Sequence, residues 1–143
     1  MKIWFDMDGT IADLYGVENW LEMLIAENEK PYEIAKPLIN LSLLARYLNK
    51  IQAQGNEIGI ISWLSRNSTK EYDAKVELAK REWLAKHLKS VKWNEIKIVS
   101  YGMSKWEICK SGILFDDEEK NRKEWKEKSY KPEQIFEILK KSA

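Results

Sequence analysis

Short apolar runs separated by helix-period stripes predict an α/β fold, a doubly wound parallel sheet with a minimal helical cap. Three observations carry that prediction. β-type runs recur at Ile3-Trp4-Phe5, Ile58 to Ile61, Ile96 to Val99 and Ile113-Leu114-Phe115. The stretches between them place apolar residues three and four apart, as the crossover helices of a parallel sheet require. Acids or a hydroxyl follow the first, second and fourth runs, at the strand ends where ligands of open α/β sheets collect.

Each element follows in order. After Asp13, the stripe Val17, Trp20, Leu21, Leu24 and Ile25 predicts one helix ended by Pro31, and a turn-like stretch leads to Pro37. Leu38, Leu41, Leu44, Ala45, Leu48 and Ile51 mark one face of a second helix, with Gly55 at the expected C-terminal cap. Ser68 and Glu71 have capping-box spacing ahead of a long helix that buries Tyr72, Val76, Ala79 and Trp83. Ser104 and Glu107 repeat that spacing and open a short helix, which Gly112 closes before the last run. A solvated helix is expected from Glu118 to Lys128, and Pro132 starts a terminal helix through Ile135 and Leu139.

A chain of 143 residues, 44% hydrophobic, can bury one core, so residues 1–143 are read as a single domain with a small cap insertion at 14–37. With 24 basic and 23 acidic residues the net charge is +1, which predicts no extended surface for nucleic acid or an anionic membrane. Any anion site must be local. Cys109 is the single cysteine, so no internal disulfide forms, and no apolar stretch suits a signal peptide or a membrane span. A reducing, cytoplasmic location is the expectation. The single histidine, His87, lies within a helix, which excludes a histidine triad and a His-rich zinc site.

The chemistry concentrates in Asp6-Met7-Asp8-Gly9-Thr10, directly after the first strand. Two carboxylates there place a nucleophile beside a proton donor. Ser62 follows the second strand, Asp116 and Asp117 follow the last, and Lys105 opens the helix before it. Taken singly, Ser62, Lys105 and the Asp pair also suit caps or surface positions; their joint order favours chemistry. Four acids at one sheet edge repel, since unit charges about 4 Å apart interact by roughly 4 kcal/mol at an effective dielectric of about 20. They call for a hard cation with open positions, and Mg²⁺ fits.

This order, Asp-x-Asp-Gly-Thr, a strand-end Ser, a Lys and then Asp-Asp, resembles the haloacid dehalogenase (HAD) superfamily of phosphoryl-transfer enzymes, over nearly the whole chain from Asp6 to Asp117. The resemblance implies a Rossmann-like core and a Mg²⁺-dependent phosphatase. Asp6 would form an aspartyl-phosphate, and Asp8 would act as general acid and then base. Ser62 and Lys105 would hold phosphoryl oxygens, with Lys110 the alternative lysine. The metal residues would be Asp6, Asp8 through its backbone carbonyl, Asp116 and Asp117.

Within that superfamily the segments Phe5 to Leu14, Trp83 to Leu88 and Leu114 to Asp117 are most similar to the 5'-nucleotidase and 5'(3')-deoxyribonucleotidase group. The likeness implies a small phosphorylated substrate, a (deoxy)nucleoside monophosphate, with Gly9, Thr10, Tyr15, Ser62, Trp63 and Lys105 on the substrate side. Trp63 after Ser62 and the single-helix cap depart from the group, which leaves base preference open. Other readings are a phosphatase for another small metabolite or a nucleic-acid end, or an idle member that binds a phosphorylated ligand or a protein.

Overall fold

Ile3 and Phe5 point to one face of the central strand and Trp4 to the other, and this two-residue alternation organises the whole molecule. A computed structural model describes residues 1–142. Strand β1 (Lys2–Phe5) lies between β4 (Glu57–Trp63) and β6 (Ile113–Phe115), with β5 (Glu95–Val99) outside β4. A further strand, β7 (Ser129–Tyr130), extends the sheet to the order β5-β4-β1-β6-β7, every pair parallel. Gly59 faces Trp4 across the β1–β4 pairing, and a Cβ there would lie 2.5 Å from the indole ring. Only glycine leaves room for it.

Helices cover both faces, so the doubly wound parallel α/β class is the one observed. On the Ile3 and Phe5 face lie α3 (Leu41–Ala53), α7 (Ile135–Ser142) and the C-terminal turns of α4 (Lys70–His87). Leu44, Leu48 and Ile51 are completely buried there, and truncating such a side chain to alanine typically costs about 2–5 kcal/mol. The Trp4 face is smaller and is closed by α5 (Lys105–Cys109) and by Trp125, which follows α6 (Glu119–Glu124). No helix among the described residues is long and apolar enough to cross a membrane.

Several boundaries differ from the sequence expectation, each for a local reason. Asn40 caps α3 by accepting from the Leu43 amide at 3.0 Å, so that helix starts at Leu41 rather than Leu38. Thr69, not Ser68, caps α4, accepting from the Tyr72 amide at 3.2 Å, while Ser68 bonds Asp73. Ser104 caps α5 as expected. The helix expected over 118–128 stops at Glu124, because the following residues turn back to form β7. Pro132 opens a 3₁₀ turn, Pro132–Gln134, and α7 follows it.

The segment 14–37 holds two helices, not one. Strands β2 (Ala12–Asp13) and β3 (Lys36–Pro37) pair antiparallel and form its neck. Between them lie a 3₁₀ turn at Leu14–Gly16, α1 (Trp20–Ile25) and α2 (Lys30–Ile34). Pro31 does not stop a helix. It sits in the first turn of α2, where a missing amide hydrogen costs no helical bond. Leu14 and Tyr32 pack with Tyr72, Val76 and Ala79, so this segment rests on the first turns of α4.

Candidate active site

The carboxyl ends of β1, β4 and β6 meet at one edge of the sheet, and each delivers the polar residue that directly follows its apolar run. Asp6 leaves β1, and its backbone amide donates to the Phe115 carbonyl at 2.9 Å. Asp116 leaves β6 fully buried, and Ser62 lies near the end of β4, also fully buried. Lys105, the first residue of α5, reaches between two of these chains: its Nζ donates to Asp6 Oδ1 at 2.8 Å and to Asp116 Oδ2 at 2.7 Å. Burial acts to lower the Lys105 pKa, but Asp6 and Asp116 outweigh it and hold the ammonium firmly protonated.

Asp6, Asp116 and Asp117 form an acidic cluster in which one ligand oxygen from each lies within 4.8 Å of the others. Burial, and next the neighbouring Asp6 charge, push Asp116 up to about 6 and Asp117 up to about 8. Burial is the larger cause of both shifts and the like charge of Asp6 adds to it, while Lys105 opposes the shift at Asp116. The donors are all oxygen, the set a hard divalent cation takes. The cluster therefore fits Mg²⁺ by its chemistry. Asp8's carboxylate stands outside the cluster.

Backbone geometry holds the cluster together. Gly9 has φ +84°, and a Cβ there would lie 2.3 Å from Asp117 Oδ2, so the loop after Asp8 needs glycine to pass Asp117. Thr10 is fully buried; its hydroxyl donates to Asp6 Oδ2 at 2.9 Å and accepts from the Asp117 amide at 3.2 Å. Gly9 and Thr10, assigned from sequence to the substrate side, are not on the cavity wall and instead set the carboxylates in place. Asn121 Nδ2 and the Glu118 amide donate to Asp116 at 3.1 and 2.9 Å.

Asp8 pairs with a lysine that the sequence reading passed over. Lys80 of α4 is 1% exposed, and its Nζ donates to Asp8 Oδ2 at 2.8 Å, to Ser62 Oγ at 2.7 Å and to the Trp63 carbonyl at 2.6 Å. A signal existed. Tyr72, Val76, Lys80 and Leu84 recur every four residues, all buried, so a lysine interrupts an apolar stripe. Burial raises the Asp8 pKa above the ordinary carboxylate value of 3.8, although Lys80 pulls the other way. A raised carboxyl pKa is what a proton donor needs.

A cavity of about 580 Å³ opens over this edge, large enough for a small-molecule substrate. Asp6, Asp8, Asp117 and Lys105 lie in its wall with Tyr15 and Trp63, while Ser62 is turned away toward Lys80. Tyr15 packs edge-on to Trp20 at 4.9 Å, and Trp63 packs against Tyr101 at 5.0 Å. Leu21 and Ile25 of α1, 51% and 75% exposed, also line the cavity. Lys110 is exposed at the far end of α5. Among the two candidate lysines, Lys105 alone reaches the acids.

No protein-family model matches the sequence, and no curated protein matches it. Among solved structures, the chain is similar to D,D-heptose 1,7-bisphosphate phosphatase from Burkholderia thailandensis, with a TM-score of 0.50 and 11% identity over 85% of this chain and 69% of that one. The fold is one that a phosphatase uses. A chain of the Pnkp1/Rnl/Hen1 complex is also similar, with a TM-score of 0.56 and 16% identity over 91% of this chain. The match spans 44% of that longer chain. At these identities the likeness is one of fold, and activity must be argued from the site.

Proposed function

We propose that the protein is a Mg²⁺-dependent phosphomonoesterase of the HAD type, with (deoxy)nucleoside monophosphates as its favoured substrates. The observation that carries this reading is the pair Asp6 and Asp8 at the end of β1, both in the cavity wall and each held by its own buried lysine. Asp6 attacks phosphorus, the ester P–O bond breaks, and Asp8 passes its proton to the departing oxygen. Water then attacks the aspartyl-phosphate while Asp8 takes a proton back, releasing phosphate and restoring Asp6. Lys105 has two partners among the described residues and so keeps one N–H for a phosphoryl oxygen. Asp6, Asp116 and Asp117, with the Asp8 backbone carbonyl, would hold Mg²⁺, which supplies a Lewis acid against charge on the phosphoryl oxygens.

Support for a nucleotide comes from the cavity's aromatic walls, Tyr15 with Trp20 and Trp63 with Tyr101, which suit a planar base. Hydrolysis of an aryl phosphate, with Mg²⁺ and with chelator, tests the chemistry, and a panel of nucleotides and sugar phosphates tests the substrate. Asp6→Asn should abolish turnover in a folded protein. Substantial activity in that variant would overturn the mechanism, and a panel in which sugar phosphates outrun every nucleotide would overturn the substrate class.

A further inference from the structure

Two buried lysines serve the site, and their hydrogen-bond inventories differ. An ammonium group has three N–H donors. Lys105 gives two of them to Asp6 and Asp116 and lies in the cavity wall. Lys80 gives all three, to Asp8 Oδ2, Ser62 Oγ and the Trp63 carbonyl, and lies behind that wall at 1% exposure. The Tyr32 ring, brought by α2, stands 5.0 Å from its Nζ. Lys80 has no donor left for a substrate. Its partners belong to two separate strand ends, the loop after β1 and the end of β4.

We infer that Lys80 is a positioning residue for general-acid chemistry, fixing the Asp8 carboxylate by its Oδ2 so that Oδ1 is the oxygen that exchanges a proton with the ester oxygen. This role rests on the phosphomonoesterase reading above. The carboxylate of Asp8 is otherwise free to turn about its terminal torsion, which is broad and two-fold. Clamping one oxygen to a buried ammonium, itself anchored on Ser62 and on backbone, removes that freedom. No bond to Lys80 forms or breaks: the proton moves between Asp8 and the leaving oxygen only.

Leaving-group dependence tests the role. Turnover of a nucleoside monophosphate, a poor leaving group, is compared with that of p-nitrophenyl phosphate, whose aryl oxide departs without protonation, for the unaltered protein, Lys80→Met, Asp8→Asn and the double variant, all with Mg²⁺. Positioned general acids contribute about 10²–10⁴-fold, so Lys80→Met should lose at least about 10²-fold on the nucleotide and at least tenfold less than that on the aryl ester. In the double variant both buried charges are gone, so it keeps the test alive if Lys80→Met does not fold, and its nucleotide rate should match that of Asp8→Asn. Equal losses on the two esters in Lys80→Met, or a double variant well below Asp8→Asn on the nucleotide, would overturn the role while leaving the phosphatase reading intact. An unaltered protein that hydrolyses neither ester would overturn that reading, and this role with it.

Discussion

Lys105 Nζ stands 2.8 Å from Asp6 Oδ1, a contact between residues 99 positions apart that joins the end of the first strand to the start of α5. The same ammonium reaches Asp116, so one cation spans Asp6, in the cavity wall, and Asp116, fully buried behind it. Removing it would leave both acids buried without their partner.

Lys105→Met is therefore expected to reduce kcat by at least about 10²-fold, the scale for loss of one preorganised charge stabiliser. In chelator it should also destabilise the fold by about 3–5 kcal/mol, the usual cost of stranding a buried charge. Lys110→Met, at an exposed position, should change neither quantity. Denaturant melts and initial rates of the two variants check the pair; equal losses would show that the wrong lysine has been assigned.

Asp116 and Asp117 predict a pH dependence of known sign. Their pKa values in the folded chain, about 6 and about 8, exceed the ordinary 3.8, so the metal-free folded state binds protons more tightly than the unfolded chain. Their contribution to stability is thus fully present below 3.8 and lost as pH rises toward about 8. Mg²⁺ competes with those protons, so its stabilising effect should grow across the same window. Melting temperatures against pH, with Mg²⁺ and with chelator, measure both slopes, and Asp117→Asn should flatten the chelator curve. A Tm in chelator that rises over this window would refute the assignment.

Gly9→Ala should harm the metal site before it harms the rest of the fold. The left-handed backbone alone costs about 1–2 kcal/mol for an L-residue. The new methyl would also meet Asp117 Oδ2, 2.3 Å from its ideal position, and push that carboxylate out of the cluster. Calorimetry should show a lower Tm, and the Mg²⁺-dependent increase in Tm should shrink. A variant with a full Mg²⁺ response would mean that Asp117 is not a ligand.

Tyr15→Ala separates base recognition from chemistry. Tyr15 is 47% exposed in the cavity wall and its hydroxyl makes no bond to the acids among the described contacts. Stacking on a base is worth about 1–3 kcal/mol, so KM for a nucleoside monophosphate should rise accordingly, with kcat on an aryl phosphate nearly constant. Trp63→Ala is a poorer probe, because the Lys105 ammonium lies 5.3 Å from that ring. Parallel losses of nucleotide and aryl turnover in Tyr15→Ala would mark the tyrosine as structural.

The sheet and its acidic edge were legible because each depends on neighbours in sequence. An apolar run of three or four residues makes a buried parallel strand, and the residue after it emerges at the ligand-bearing end, which is how Asp6, Ser62 and Asp116 are found without coordinates. Local signals also misled where one residue serves either of two roles. Pro31 reads as a helix stop, yet lies in the first turn of α2, and which applies depends on the turn at Glu27, whose φ is +56°. The two residues of β7 carry no period of their own and become a strand only because β6 offers an open edge. Lys80 is the clearest case: its four-residue spacing from Val76 shows that it is buried, but the acid that neutralises it lies 72 residues away, across a crossover. Sequence determined which residue types stand at the strand ends, since that follows from backbone period and burial. Tertiary structure alone decided which carboxylate meets which lysine, because a salt bridge is made by side-chain reach over a few ångströms, a distance set by how the helices pack on the sheet.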